Sequence, residues 1–386
     1  MILCNKAPAD VIYLDNNATT QPTAAVIDAV STALARMWAN PSGIYPSAQE
    51  AADLLQRGRA SVAELVGVTP AEIIFTSGGT ESIHTALFGV AGVKQGRHII
   101  TTQVEHAASL QAILKIESGG YRVSRLGVDA DGQLSLSELD AAIGPDTALV
   151  SVMLANNETG VLFPVEAIAE ICRRKRVLLH VDAVQAIGKV PVQASQCADI
   201  LSFSGHKLHG PKGVGALFVR RHLKLQPLLM GGHQEGGRRA GTENVPGIAG
   251  FGVAAREALT RLEAGAEAKV ASLRSFLEES ILWSIPYLRI NGRKSPRLPN
   301  TSSLTVAGLD AKQLVAALGE KGFCISNGSA CASGSAKPSH VLTAMGMTAQ
   351  EALSTIRISL SADSTKEQIA AFAAALTRSA QEARQT

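Results

Sequence analysis

From Ile73 to Val181 short apolar runs alternate with longer stretches whose apolar residues recur at helical spacing. Ile73-Ile74-Phe75-Thr76, His98 to Thr101, Tyr121 to Leu126, Leu149 to Met153 and Val177 to Val181 have the length and composition of buried strands. Between them helices are expected to about Val90, over Ala107 to Ile116 and over Val165 to Arg174, with a short one opened by the capping box Ser135-Leu136-Ser137-Glu138. Strands that alternate with crossover helices lie mostly parallel, and the helices cover both faces of their sheet, so the fold class expected is α/β. In such a sheet ligands collect at the carboxyl ends of the strands, and the polar clusters of this chain fall there.

The two ends of the chain depart from this rhythm. Val11 to Leu14 reads as a strand closed by the polar loop Asp15-Asn16-Asn17-Ala18-Thr19-Thr20, whose adjacent asparagines suggest local bonding to the backbone. Pro22 suits the first turn of a helix to about Met37, Asn40-Pro41-Ser42-Gly43 is a turn, and Ala51 to Val66 reads as an amphipathic helix. The Gly-rich stretch Gly231 to Gly241, with Arg238 and Arg239, is too long and polar for a plain connector and is expected to be a functional or interface loop. A long helix is expected from Val253 to about Ile281. After it come strands at Ser302 to Val306, Phe323 to Ser326 and Ile356 to Leu360, a helix over Ala311 to Lys321, and a last helix capped by Ser364-Thr365-Lys366-Glu367 and running to about Gln381. The division expected is an N-terminal segment 1–20 joined to the small domain, a large domain 21–260 and a smaller α+β domain 261–386.

Composition narrows the function classes. The 386 residues include 36 basic and 33 acidic ones, a formal charge of +3, which leaves no electrostatic footprint for nucleic acid or a membrane surface. No apolar run reaches the roughly 18 residues that span a bilayer, and Met1 to Asp10 has no secretory apolar region. The five cysteines, Cys4, Cys172, Cys197, Cys324 and Cys331, are scattered and without C-x-x-C pairing, so neither a disulfide framework nor a zinc site is expected and a cytoplasmic location fits.

Several clusters carry chemistry. Ser202-Phe203-Ser204-Gly205-His206-Lys207 follows a buried strand end and puts a lysine on a turn just outside the sheet. Such an amine can form a Schiff base with an aldehyde such as pyridoxal phosphate (PLP); an ordinary surface lysine is the alternative. Ser77-Gly78-Gly79-Thr80, between a strand and a helix, reads equally as a phosphate cradle and as a tight turn. Asp182 ends a strand, where it would pair with a pyridine nitrogen or serve as a cap or ion-pair member. His106 at the same sheet edge would stack on an aromatic cofactor and shuttle protons, or be a satisfied core histidine. Asn157, in Asn156-Asn157-Glu158-Thr159-Gly160, would bond a cofactor oxygen or a carboxylate unless the segment is a plain turn. Arg357 interrupts a strand pattern and needs an anion, supplied by a substrate carboxylate or by a salt bridge. Around Cys331, in Asn327-Gly328-Ser329-Ala330-Cys331-Ala332-Ser333-Gly334-Ser335, every neighbour is small. That segment is expected to be exposed and mobile, and about eight residues of it would span roughly 15 Å. A thiol displayed so reads as a reactive nucleophile.

Taken in order, these motifs resemble one family, the cysteine desulfurases of the NifS/IscS type, PLP enzymes of fold type I within the class-V aminotransferases. The resemblance runs from Tyr13 to Thr20, through Ser77-Gly78-Gly79-Thr80-Glu81-Ser82, Asn156 to Gly160 and Ser204 to Lys207, to Arg238-Arg239-Ala240-Gly241-Thr242-Glu243-Asn244 and Gly328-Ser329-Ala330-Cys331. Gly232-His233-Gln234-Glu235 and the wording around Cys331 are closest to the nitrogen-fixation NifS branch. The resemblance implies a seven-stranded, mostly parallel sheet in the large domain. It implies PLP held on Lys207, with Gly79, Thr80, Ser204, Gly205 and His206 at the phosphate and Thr242 reaching it from the partner of a homodimer. Asp182 would face the pyridine nitrogen, Gln185 the ring hydroxyl and His106 the ring, while Asn157 and Arg357 hold the substrate carboxylate.

The implied reaction takes sulfur from L-cysteine onto Cys331 as a persulfide, with Lys207 moving the α-proton and alanine released, and hands it to an acceptor such as an iron–sulfur scaffold. The resemblance also implies a transient [2Fe-2S] cluster ligated by Cys331 through its persulfide. The chain departs from many relatives at Tyr45, where they carry a histidine. The competing readings are another fold-type I enzyme, such as an aminotransferase or a selenocysteine lyase, and a non-catalytic interaction scaffold. A loop thiol argues against an aminotransferase, and the presence of both Lys207 and Cys331 argues against a scaffold.

Overall fold

A computed structural model describes residues 11–328 and 337–385. Seven strands form its main sheet, in the order Ile73–Thr76, Gly215–Val219, Ile200–Ser204, Leu178–Asp182, Thr147–Met153, His98–Thr102 and Arg122–Leu126. All neighbours are parallel except Gly215–Val219, which runs antiparallel to both strands beside it. The sheet is buried on both faces, as parallel sheets are. One face packs Val181, Phe203 and Phe218 against Phe251. The other packs Ile74, Ile99 and Leu149 against Leu87 and Ile113 of the helices Gly79–Ala91 and Ala107–Ser118.

A second, antiparallel sheet takes the order Ser326–Asn327, Thr355–Ser359, Thr301–Val306, Leu288–Ile290. It has its own core of Leu277, Leu304, Ile356 and Phe372, which Leu14 joins from the other end of the chain. The short strand Ile12–Tyr13 pairs parallel with Phe323–Cys324.

The structure corrects several local expectations. The long helix expected from Val253 is two, Val245–Glu263 and Ala266–Ser284, because Gly265 turns left-handed at φ 69°, a conformation glycine adopts without steric cost. The first packs on the main core and the second on the core of the smaller sheet. The single strand expected at Phe323 to Ser326 is split between two pairings, with Ile12–Tyr13 and with Thr355–Ser359. Pro22 precedes the helix Ala24–Arg36 instead of entering it, since Thr23 is the cap and accepts from the Val26 N–H at 3.2 Å. It is Pro46 that opens the next helix, Pro46–Leu65. The last helix, Lys366–Gln385, is capped one residue later than Ser364. Thr365 Oγ1 accepts from the Gln368 N–H at 3.3 Å, and Gln368 Oε1 accepts from the Thr365 N–H at 3.1 Å.

The strand Gly215–Val219 was not foreseen, yet it sets the geometry of the sheet edge. Gly215 sits opposite Thr76 on one side and Ser204 on the other. It thereby brings the turn after Thr76 beside the turn that carries Lys207. A Cβ at Gly215 would come 2.6 Å from Gly78 Cα and 2.9 Å from the Phe203 carbonyl oxygen, both backbone atoms. Gly215→Ala is therefore expected to lower stability by about 1–3 kcal/mol. Gly319→Ala, in the helix Ala311–Glu320 with open space at its Cβ, should be neutral or stabilising by up to about 1 kcal/mol. Urea unfolding of both variants tests this; equal midpoints would reject the packing argument.

Candidate active site

A cavity of about 330 Å³ opens at the carboxyl ends of the central strands. Gly79, Thr80, His106, Asn157, Asp182, Gln185, Ser204, His206, Lys207 and Arg357 all line it. Gly205, Thr242 and Tyr45, also singled out from the sequence, do not line it. Gly205 is buried beneath the turn, where a Cβ would lie 3.3 Å from the Phe251 ring. Thr242 is exposed and does not line its own chain's cavity. Cys331 lies outside the described residues. Tyr45 is half-exposed at the start of Pro46–Leu65, away from the cavity lining.

Lys207 closes a single 3₁₀ turn, Gly205–Lys207, directly after the strand Ile200–Ser204. The turn is clamped on two sides: Gly205 N–H donates to the Val214 carbonyl at 3.1 Å, and the Thr20 N–H and hydroxyl both donate to the His206 carbonyl at 3.0 Å. Lys207 Nζ donates to the carbonyls of Asn17 at 2.6 Å and Ala18 at 2.8 Å. The polar loop Asp15 to Thr20 is thus the floor beneath the lysine. Its asparagines were expected to bond locally, but their main partners are distant. Asn16 Nδ2 donates to the Ser359 carbonyl at 2.8 Å, and Asn17 Nδ2 donates to Thr301 Oγ1 at 2.9 Å.

Asp182 is buried, and burial raises its pKa against the pull of His106 and Lys207; its Oδ1 accepts from the Val184 N–H at 3.0 Å. His106 caps the helix Ala107–Ser118, its Nδ1 accepting from the Ala108 N–H at 3.1 Å. That bond places the proton of the neutral ring on Nε2. Burial lowers the imidazole's pKa, so the neutral form prevails although Asp182 pulls the other way. Burial, with Lys207 close by, also brings His206 down to about 4.

At the other end of the cavity, Gly78 takes φ 154° and ψ −175° just before the helix Gly79–Ala91, a region essentially reserved for glycine. The first-turn N–H groups of a helix have no partner inside it and favour an anion. Ser204 Oγ is buried and unbonded among the described residues. Behind the cradle Glu81 accepts from Ser77 N–H at 2.8 Å and pairs with Arg239 at 2.9 Å. Burial would raise this carboxyl, but the bonds from Arg239 and Ser77 hold it below its ordinary range.

These features fit PLP: an unbonded hydroxyl and a helix N-terminus for the phosphate, a buried carboxyl for the ring nitrogen, an amine for the aldehyde. Arg357 is 1% exposed. Its Nη2 donates to Asp15 Oδ1 at 2.7 Å and its Nη1 to the Asn157 carbonyl at 3.0 Å, while Nε is buried and unbonded among the described residues. Two of the five guanidinium N–H groups are thus used, one of them in the salt bridge, and three are left, Nε–H among them.

Sequence reasoning passed over the groups that hold this arrangement. Lys189 leaves no local pattern, and the Asn16-Asn17 pair gave no hint of its distant partners. The bidentate pair Arg59–Glu235, at 2.8 and 2.6 Å, pins the Gly-rich loop to the sheet, and Glu235 also accepts from the Phe75 N–H at 3.0 Å. Its only trace in the sequence is an acid among glycines.

A family model described as Aminotransferase class-V matches residues 12–372. Among curated proteins, Cysteine desulfurase 2 of Trichormus variabilis is 47% identical over 361 residues, 93% of this chain and 90% of that protein. Cysteine desulfurase NifS of Azotobacter vinelandii is 43% identical over 361 residues, again 93% of this chain and 90% of its own. Among solved structures, a NifS-like protein superposes with a TM-score of 0.89 at 37% identity, covering 96% of this chain and 99% of its own. SspA in complex with cysteine superposes with a TM-score of 0.80 at 34% identity, covering 90% and 98%.

Glu105, next to His106, gives a pH signature. It is fully enclosed, and its Oε1 accepts from Thr102 Oγ1 at 2.6 Å and from the Met153 N–H at 3.1 Å. Burial, with the Asp182 charge adding to it, pushes its pKa from 4.5 up to about 8. The folded protein keeps the proton that the unfolded chain loses near 4.5, so this contribution to stability is full below that pH and is lost as pH rises through about 8. Glu105→Gln keeps the shape without the charge. Its stability relative to the parent should increase steadily from pH 5 to pH 8 in urea unfolding; a pH-independent difference would rule out a protonated Glu105.

Proposed function

The chain belongs to the aminotransferase class-V family, and we propose how its residues share out the reaction of its desulfurase relatives. The protein is a PLP-dependent cysteine desulfurase, taking sulfur from L-cysteine. The observation that carries the residue-level reading is that the Lys207 amine and the buried Asp182 carboxyl face one cavity at the strand ends.

In our reading Lys207 holds PLP, Gly79, Thr80, Ser204 and His206 take its phosphate, and Asp182 takes its ring nitrogen. PLP bound there supplies an electron sink for the pair released when a bond at the substrate Cα breaks. Arg357 and Asn157 hold the carboxylate of L-cysteine; the planar guanidinium gives a two-point grip and so fixes which Cα bond faces Lys207. The Lys207 amine takes the α-proton. His106, neutral with its proton on Nε2, is a donor within the same cavity. Asp182, desolvated in the free protein, is relieved when a positive ring nitrogen stands against it.

We assign sulfur acceptance to Cys331. Its thiolate attacks the substrate sulfur; an S–S bond forms as the C–S bond breaks, the bonding pair goes to the carbon, and the persulfide stays on the protein while the carbon skeleton leaves as alanine. The sulfur then passes to an iron–sulfur scaffold.

We infer a homodimer. Thr242 does not line its own chain's cavity, and Leu34, Trp38, Ile44 and Tyr45, near one another in sequence, are each exposed, Trp38 at 78% and Ile44 at 103%. Exposed apolar side chains of this size suit burial against a second copy. No described helix is long and apolar enough to cross a membrane. The described cysteines are free thiols, which suits the reducing cytoplasm.

Cys331→Ala is expected to cut alanine formation from L-cysteine by at least about a hundredfold, as loss of a covalent nucleophile does. PLP should remain fixable to Lys207 by borohydride. Unchanged turnover would reject the role given to this thiol. Arg357→Lys should raise KM for L-cysteine about tenfold or more, because an ammonium cannot grip a carboxylate at two points. An unaltered KM would leave Arg357 as the salt-bridge partner of Asp15 alone.

A further inference from the structure

Lys189 is a second lysine beside the cavity, and it is half-buried. Its Nζ donates to Gln185 Oε1 at 2.8 Å and to Asn17 Oδ1 at 3.0 Å. Both acceptors are neutral amide oxygens, and among the described residues Lys189 makes no ion pair. The cations Lys207 and Arg357 are close enough to repel it. His209, Arg261 and Glu267 share with it a small cavity of about 60 Å³ on the side away from Asp182. Burial, with Lys207 and Arg357 adding to it, brings this amine well below its ordinary pKa. Neutral or charged, it has a hydrogen for each of its two acceptors.

Removing this amine would leave the buried Gln185 oxygen without a donor. What the amine does here is remove an ambiguity. An amide side chain can present either its oxygen or its nitrogen, and the choice is set by its partners. An ammonium only donates and the Asn17 carbonyl only accepts, so Gln185 turns Oε1 toward Lys189 and Nε2 toward Asn17. Its Nε2 then faces the other way, giving one hydrogen to the Asn17 carbonyl at 2.9 Å. The second hydrogen is left for the cavity that Gln185 lines. The Asn17 carbonyl also accepts from Lys207 Nζ at 2.6 Å, so the two amines and the amide belong to one short chain of bonds.

Resting on the PLP reading above, we propose that Lys189 is a positioning residue: it locks the Gln185 amide with an N–H toward the cofactor's ring oxygen and so holds that oxygen as an anion. A donor fixed at this oxygen withdraws charge from it and makes the neighbouring Lys207 nitrogen a weaker base. Without Lys189 the amide keeps only its bond to the Asn17 carbonyl to fix it, and its oxygen, left without a donor, pulls the N–H away from the anion.

The test uses PLP-loaded enzyme carrying Lys189→Met, Gln185→Ala and both. In Lys189→Met the protonation midpoint of the Lys207 Schiff base, read from the visible band, should rise by at least about half a pH unit. PLP should leave about tenfold faster, the scale of a lost charge-assisted bond. In the Gln185→Ala background the same substitution should add less than twofold to PLP loss, since the amide through which it acts is gone. A midpoint and release rate like the parent's, or effects that add in full to those of Gln185→Ala, would each overturn the proposal. A parent enzyme in which borohydride fixes no PLP on Lys207 would instead sink the cofactor assignment, and this inference with it.

Discussion

Asn17 is the contact on which the rest of the site depends. Its backbone carbonyl receives both Lys207 and Gln185, its side-chain oxygen receives Lys189 and Asn300, and its amide nitrogen reaches Thr301 and the Asn157 carbonyl. Lysine, glutamine and the carboxylate-binding face would each have separate supports without it. Buried polar networks of this kind are favourable only when every member is satisfied, so the position of each side chain here is set by all the others. The second amine belongs to that network as firmly as the first.

Around this frame, burial works as an electrostatic instrument. It keeps His106 and His206 neutral and pushes Glu105 toward its protonated form, while Asp182 is left as a carboxyl whose ionisation is costly until a cation arrives. The free protein is therefore poor in compensating positive charge at one end of its cavity, and at the other holds a hydroxyl and a helix terminus suited to an anion. A zwitterionic cofactor matches that polarity end for end.

The architecture was legible where chemistry and period coincide. The βα alternation announces itself because each buried strand is a short apolar run, and the cavity residues were visible because each ends such a run in a polar cluster. What escaped was non-local. Gly215–Val219 was hidden because an antiparallel strand inserted in a parallel sheet breaks the alternation. Gly265 divides what reads as one amphipathic helix, since the apolar spacing continues across it. Lys189 carries no signal, because its bond to Asn17 spans 172 residues, while the paired asparagines suggested local bonding although the bond from Asn17 to Thr301 spans 284. Arg357 could be flagged as an arginine in a strand, but its partner Asp15 lies 342 residues away.

That span has a consequence for assembly. The strand Ile12–Tyr13 pairs with Phe323–Cys324, and Ser359 N–H donates to the Leu14 carbonyl at 2.8 Å. The floor under Lys207 is therefore tied down on one side by residues near the far end of the chain. On a ribosome the sheet and its lysine turn emerge long before Thr355–Ser359 does, and contacts of such high sequence separation form late. A nascent chain would carry the reactive amine on a half-built seat, which is completed when its first and last segments have met.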